Sequence, residues 1–469
     1  MTTHATSPEQ PASLPRTQGD RIVNSATTQL TDQELLYQLD GRPSLAMAVP
    51  IGLQHVFAMF TGNLAPILIL SGVVGGLAPG DKVVMIQCAM LMAGLMTLLQ
   101  VYPLKIGRFQ IGAGLPVVMG TSFAFVPTMK TVGAAYGVPG VLGAALLGGF
   151  VELLFGIFIK PLKRFFPPLV IGSVLITIGI SLLGIGANYF AGGVGAKDFG
   201  SWQNLLVGFV VFAVITLLNR FAKGMLKTVA ILIGIAVGYV LAACMGKVDF
   251  APLMTAAWFD LPMPFHFSLE FHLDAVISFA AVYIIVALET MGNTAGITMA
   301  TLGRDTTPEE TSGTIVAAAV GAQVGSLFGA LPMAAFGQNA GIVSMTRVIN
   351  RFCIATAGMV MVVAAFCPKI GTVFSSLPPS VIGGAVITVF AMIFLNGIKM
   401  VAKEGFSESN CLIIAITFGL GYGLGTSPAA TKGLPPVLHF MFGEPITSVC
   451  IVSVLACILF GNKSQAAHH

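Results

Sequence analysis

The chain is poor in charge. Of its 469 residues only 9% are Asp, Glu, Lys or Arg, against roughly 25% in a soluble domain. With 55% hydrophobic residues and a mean hydropathy of +0.90, that scarcity excludes an ordinary soluble globular protein. The net charge of +4 is small and falls in loops, so no nucleic-acid partner is expected. Cysteine is sparse as well. The seven (Cys88, Cys244, Cys353, Cys367, Cys411, Cys450 and Cys457) lie in or beside apolar segments, with no metal-ligand spacing. They read as small buried hydrophobes, and no metal site is expected. The chain has no Gly-rich lysine loop for phosphate, no HExxH and no GxSxG with triad partners. ATP-driven transport and enzymatic chemistry therefore have no support, and no cofactor is expected. The alternating polar pattern of a membrane barrel and a cleavable signal peptide are both missing.

What is present is a succession of long apolar runs. They lie near 44–70, 82–100, 138–159, 166–186, 201–219, 226–244, 273–300, 312–329, 350–367, 377–395, 409–425 and 442–461, with two interrupted runs at 111–130 and 331–347. The expectation is an all-α integral membrane protein with fourteen transmembrane segments. Loop charge orients it. With the N-terminus inside, the inner loops hold Lys105, Arg108, Lys160, Lys163, Arg164, Arg220, Lys223, Lys227, Arg304, Arg347, Arg351, Lys399 and Lys403. The outer loops hold Lys82, Lys130, Lys197, Lys247, Lys369 and Lys432, which obeys the positive-inside rule through all fourteen crossings. Both termini are thus expected on the cytoplasmic side of the plasma membrane. Residues 1–41 are polar, rich in Ser, Thr, Pro and Gln, and are expected to form a disordered tail.

The chain repeats itself. Pro167-Pro168-Leu169-Val170-Ile171-Gly172 recurs as Pro378-Pro379-Ser380-Val381-Ile382-Gly383. The interrupted segments recur too: Leu115-Pro116 leads to Gly120-Thr121-Ser122, and Leu331-Pro332 leads to Gly337-Gln338-Asn339. Seven segments per half is an odd number, so the halves have opposite orientation. Inverted repeats with a broken segment in each half point to a carrier whose site lies at mid-membrane between the breaks.

Polar residues inside apolar runs mark that site. Glu289, in Leu288-Glu289-Thr290, is costly there unless paired, hydrogen-bonded or protonated. It is a candidate to accept N–H groups of a polar ligand, to carry a proton, or both. Asn293 follows one helical turn later on the same face. Asn339 is placed as the cap of a short helix whose free N–H groups face the site. His55, in the first run, is either a satisfied structural histidine or a proton-linked supporter of the site. Ser122 and Phe123 head the short helix of the first break; Phe123 is suited to stacking on a flat ring or to core packing. Glu152 has no charged neighbour in sequence and is placed at an oligomer interface.

Gln338-Asn339-Ala340-Gly341-Ile342-Val343-Ser344-Met345-Thr346-Arg347 fits the signature of the nucleobase–ascorbate transporter family, nucleobase:cation symporter-2. His55, the Ser122-Phe123 pair, and Glu289 with a polar residue four later agree, so residues 44–461 resemble that family. The resemblance implies 7+7 inverted repeats. A core domain would comprise 44–159 and 273–367, with the broken segments contributing short strands, and a gate domain would comprise 166–244 and 377–461. It implies a homodimer in the lipid bilayer of a bacterial inner membrane, importing an oxidised purine base, xanthine or uric acid, with a proton as coupling ion. Glu289 and Gln338 would hold the base by side chain, and the backbone at Phe123 and Gly337 would complete its hydrogen bonds, beside Ser122. Asn339, His55, Asn293 and Thr346 would support the site. Uracil permeases of the family, an uncoupled facilitator and the related sulfate and bicarbonate carrier folds are the alternatives. Gln338 speaks against uracil, and a buried Glu289 against an anion. The chain also departs from the family. The aspartate that proton-coupled relatives carry about twenty residues before the motif glutamine is Ala318 here, and Asn293 stands where some have Asp or His.

Overall fold

The computed structural model describes residues 31–461 apart from 75–76, 108 and 160–165. Arg108, Lys160, Lys163 and Arg164, four of the cations in the loop-charge argument, and residues 1–30 of the expected tail lie outside the described residues. Helices dominate. Among the described residues the principal ones, in chain order, are α1 (Leu45–Val74), α2 (Pro79–Val101), α3 (Val126–Ile157), α4 (Pro168–Phe190), α5 (Trp202–Phe221), α6 (Ala230–Cys244), α7 (Leu273–Leu302), α8 (Pro308–Phe328), α9 (Gly337–Thr346), α10 (Arg351–Ala365), α11 (Pro368–Ser375), α12 (Pro379–Glu404), α13 (Glu408–Ile416) and α14 (Pro445–Phe460), with shorter turns of helix between them. Among the described residues four strands, each three residues long, interrupt them: β1 (Leu104–Ile106), β2 (Phe109–Ile111), β3 (Met119–Thr121) and β4 (Met333–Ala335).

Among the described residues, eight helices are long and apolar enough to cross a membrane, or nine if α10 and α11, bent by 85°, form one span. The other expected segments are short or broken. The helices α6 and α14 have 15 and 16 residues. The run 409–425 changes pitch to a π-helix at Thr417–Tyr422. The fold separates into two groups of helices by packing. α1, α2, α3, α7, α8 and α10 pack chiefly on one another, as do α4, α5, α6 and α12, with α14 against α4.

The repeated sequence makes repeated structure. α4 and α12 each begin with Pro at the first helical position, where no backbone donor is lost. They lie antiparallel. Gly172 faces Gly397 and Val401, Gly179 faces Phe394, and Gly383 meets the backbone of Phe190. A Cβ on Gly383 would come within 2.0 Å of the Phe190 nitrogen, so this close crossing needs glycine.

Two expectations are corrected. Residues 31–41, assigned to a disordered tail, are docked. A one-turn helix, Asp32–Leu35, is closed by a Thr31–Glu34 capping box. The amide of Asn350 donates to the carbonyls of Leu35, Gln38 and Gly41, and Arg351 pairs with Asp40 at 2.9 Å. Glu152, assigned to an oligomer interface, has no exposed surface; it lies inside, on the face of α3 turned to α7 and α8. The antiparallel hairpin β1–β2 was not anticipated.

Candidate functional site

The two broken segments meet strand to strand. β3 and β4 pair antiparallel with Met119 opposite Ala335 and Thr121 opposite Met333. Two further bonds extend the ladder, Ser122 N–H to Pro332 O and Phe336 N–H to Val118 O, both 2.9 Å. Each strand runs directly into a helix. β3 leads through the 3₁₀ turn Phe123–Phe125 into α3, and β4 leads into α9. Because the strands are antiparallel, the two helices start on either side of one point, with their N-termini facing it. Unpaired N–H groups of helix starts favour acceptor groups of a ligand.

Side chains fix this arrangement from the neighbouring helices. Asn63 of α1 accepts from both the N–H (2.8 Å) and the hydroxyl (3.0 Å) of Thr121. Thr97 of α2 accepts from Met119 N–H at 3.0 Å. On the other strand, Asn293 of α7 donates to Ala335 O at 2.9 Å, and Thr290 accepts from Ala335 N–H. Asn63, Thr97 and Thr290 escaped the sequence reading, although each is a polar residue inside an apolar run.

The nine sequence candidates divide by position. Gln338 and Gly337 open α9, where Gly337 is exposed and Gln338 half-buried. Asn293 lies against Gly337; a Cβ there would sit 3.2 Å from its Oδ1. Glu289 is one turn before Asn293 on α7, half-buried, and has no hydrogen-bond partner among the described residues. Phe123 and Ser122 are buried at the start of the other helix. Ser122 Oγ already accepts from Ala124 N–H, and the Phe123 ring meets Phe390 of α12 edge-on at 5.4 Å. Thr346 is at the far end of α9. It bonds Ile342 O and accepts from Val348 N–H, closing the helix next to Arg347, which takes left-handed backbone at φ 60°.

Asn339 is not a cap. Phe336 occupies the N-cap position of α9 with no side-chain bond, and Asn339 sits inside the first turn. Its amide donates to the carbonyl of His55 at 3.0 Å and to His55 Nδ1 at 3.1 Å. The carbonyl contact fixes the amide's orientation, so Nδ1 accepts and Nε2 carries the imidazole proton. The physical reason is position: a capping side chain comes from the residue just before the first turn, which here is Phe336, and Asn339 lies within the helix with its amide engaged by His55. The first helix turn keeps its N–H groups free as a result.

An open face leads away from this point. Gly292, Gly296 and Met299 on α7 and Gly341 and Met345 on α9 are exposed, at helical spacing. A Cβ on Gly292, Gly296 or Gly341 would meet nothing within 4 Å. The face runs from Glu289 and Gln338 toward the helix ends that carry Arg304 and Arg347. The arrangement holds one half-buried carboxylate, one amide and two helix N-termini, and among the described residues no group of His, Cys, Asp and Glu could hold a metal ion.

A Permease family model matches residues 46–430, which include every candidate above. The chain belongs to the nucleobase–ascorbate transporter family. It is 37% identical to the uric acid permease PucK of Bacillus subtilis, over 88% of this chain and 95% of that one. It is 35% identical to the xanthine permease of Bacillus subtilis, over 91% and 96%. Among solved structures, the murine Slc26a9 anion transporter shares the fold with a TM-score of 0.57 at 13% identity, covering 95% of this chain and 73% of that one. This member of the family is a multi-pass permease and not an enzyme.

Proposed function

We propose that this permease is a secondary carrier that imports an oxidised purine base, xanthine or uric acid, across the inner membrane by proton symport. The observation that carries the reading is the placement of Glu289 one turn before Asn293, which lies against Gly337 where Gln338 and the uncapped start of α9 stand open. A flat base with both N–H and C=O edges fits such a set. Glu289 accepts from ring N–H groups, the Gln338 amide both donates and accepts, and the N–H groups at Gly337 and Phe123 donate to ring carbonyls. The uric acid and xanthine permeases among the relatives support this substrate class. Two groups of helices, with Phe123 of one against Phe390 of the other, support rocking of a core domain (44–159, 273–367) against a gate domain (166–244, 377–461). The antiparallel crossing of the repeated helices α4 and α12 supports fourteen segments as 7+7 inverted repeats. Cations at the inner ends support cytoplasmic termini, and the family resemblance supports a homodimer.

Uptake of radiolabelled xanthine, urate, uracil and sulfate into cells lacking their own base carriers tests the reading. Saturable uptake of xanthine or urate, competed by the other and not by uracil or sulfate, is the expected result. Transport of uracil or sulfate in place of purines would overturn it.

A further inference from the structure

Glu152 lies outside the site described above. It is on α3 with no exposed surface, and neither carboxylate oxygen has a hydrogen-bond partner. The surrounding contacts place it. Three residues earlier, a Cβ on Gly149 would lie 3.1 Å from Gln323 Cγ of α8 and 3.7 Å from the Tyr283 hydroxyl of α7. Four residues later, Gly156 meets Ile315 and Val316. Between those contacts Glu152 faces the middle of α8, where Ala317, Ala318 and Ala319 are wholly buried. Tyr283 is the titratable side chain turned to it from α7, and its hydroxyl is engaged with Ala145 O at 3.0 Å. From α8 the polar side chain is the uncharged Gln323, and α1 meets α3 through Leu70 and Val74 near Gly133.

A structural role does not account for this residue. A buried polar group without a partner costs stability, and an unpaired buried charge costs far more. In this conformation nothing among the described residues would balance an ionised Glu152. A donor that suits its ionised form is close by and equally unused: Gln323 Nε2 is buried with no partner. An unpaired donor and an unpaired acid in one layer, on different helices, are two halves of an interaction that this conformation does not make.

We propose that Glu152 is the proton-carrying group of the carrier, protonated in the conformation seen here and released when a shift of α8 against α3 brings the Gln323 amide to its carboxylate. The proton enters from the outer solution, converts carboxylate to carboxylic acid, and leaves to the inner solution as the carboxylate gains the amide. Each form is favoured in one conformation, which is what links a proton to a transport step. Tyr283 lies on the same helix as Glu289, six residues earlier and about 9 Å along its axis, so movement at this layer reaches the substrate point.

The proposal rests on the purine-carrier reading, and the test separates the two. Purified protein in liposomes, acidic outside and alkaline inside, is given radiolabelled xanthine and urate. Absence of equilibrium binding of either base by the wild type would sink the substrate reading, whatever protons do. With binding present, the wild type is expected to accumulate base, while Glu152→Gln binds and exchanges it within about twofold of wild type yet only equilibrates it. Glu152→Asp should keep part of the accumulation, and Gln323→Met, which removes the amide at similar volume, should lower it with binding intact. Unimpaired accumulation by Glu152→Gln would overturn the proposal, and so would a wild type that ignores the gradient. Should Glu152→Gln not survive purification, Gln323→Met decides alone: full accumulation counts against the proposal, reduced accumulation with normal binding supports it.

Discussion

The two broken segments are built alike and finished differently. Both run from a Leu-Pro pair through a three-residue strand into a helix, and their strands bond to each other. The first break is closed. Ser122 caps its turn, Phe123 is 7% exposed, and Asn63 and Thr97 take its strand donors. The second is left open. No side chain caps α9, Gly337 is exposed, and Gln338 has no partner among the described residues. In the proposed carrier the closed break is the anchor and the open one the reading head. The second half is also the one beside Glu289, and it is braced from behind through Asn339 and His55.

That contrast sets the order of mutational effects. Glu289→Gln should be the most damaging, because it removes a charged acceptor that nothing else replaces. Hydrogen bonds to charged groups contribute roughly 1.5–3 kcal/mol, so xanthine uptake should fall by about 10- to 150-fold. Uptake assays normalised to membrane protein level check this, and near-normal transport would leave the open break without its partner. Gln338→Glu comes next. Replacing the amide's donor by an acceptor should weaken xanthine binding by about tenfold and relax exclusion of uracil. An unchanged competition panel would mean that the open end does not read the base.

Asn339→Ala tests the bracing. Loss of its two bonds to His55 should lower stability by about 1–3 kcal/mol, seen as a drop in melting temperature in detergent. His55→Ala should cost less on that background than it does alone, since the Asn339–Nδ1 contact is counted in both; full additivity would show that the contact contributes nothing. Ser122→Ala should matter least. A lost cap costs about 1 kcal/mol, and binding should stay within about twofold. If Ser122→Ala cost as much uptake as the Gln338 variant, the first break would be a reading head as well.

The sequence carried much of this because the informative residues stand out against an apolar background. Gln338 and Glu289 were legible as polar groups where lipid or protein interior should be, and the repeat of Pro-Pro, one variable residue and Val-Ile-Gly revealed α4 and α12. What failed depended on distant partners. Asn339 looked like a cap because capping is the local habit of asparagine, yet its partner is His55, 284 residues away. Glu152 looked like an interface residue because nothing in its own segment explained it; its surroundings come from α7 and α8. The docked segment 31–41 has the composition of a tail, and it is held by partners far along the chain, the amide of Asn350 and the guanidinium of Arg351 on Asp40.

The ion pair that helps to hold this segment has a consequence for biosynthesis. Asp40 and its partner Arg351 are 311 residues apart. At about 5–20 residues per second, a ribosome needs roughly 15–60 s to make the second after the first. For that interval the leading segment has no seat, while helix after helix enters the membrane behind it. It can dock only once the loop after α9 has emerged and α10 has begun. The contact therefore works as a late latch, closing across the start and the middle of a chain that has come through translation intact.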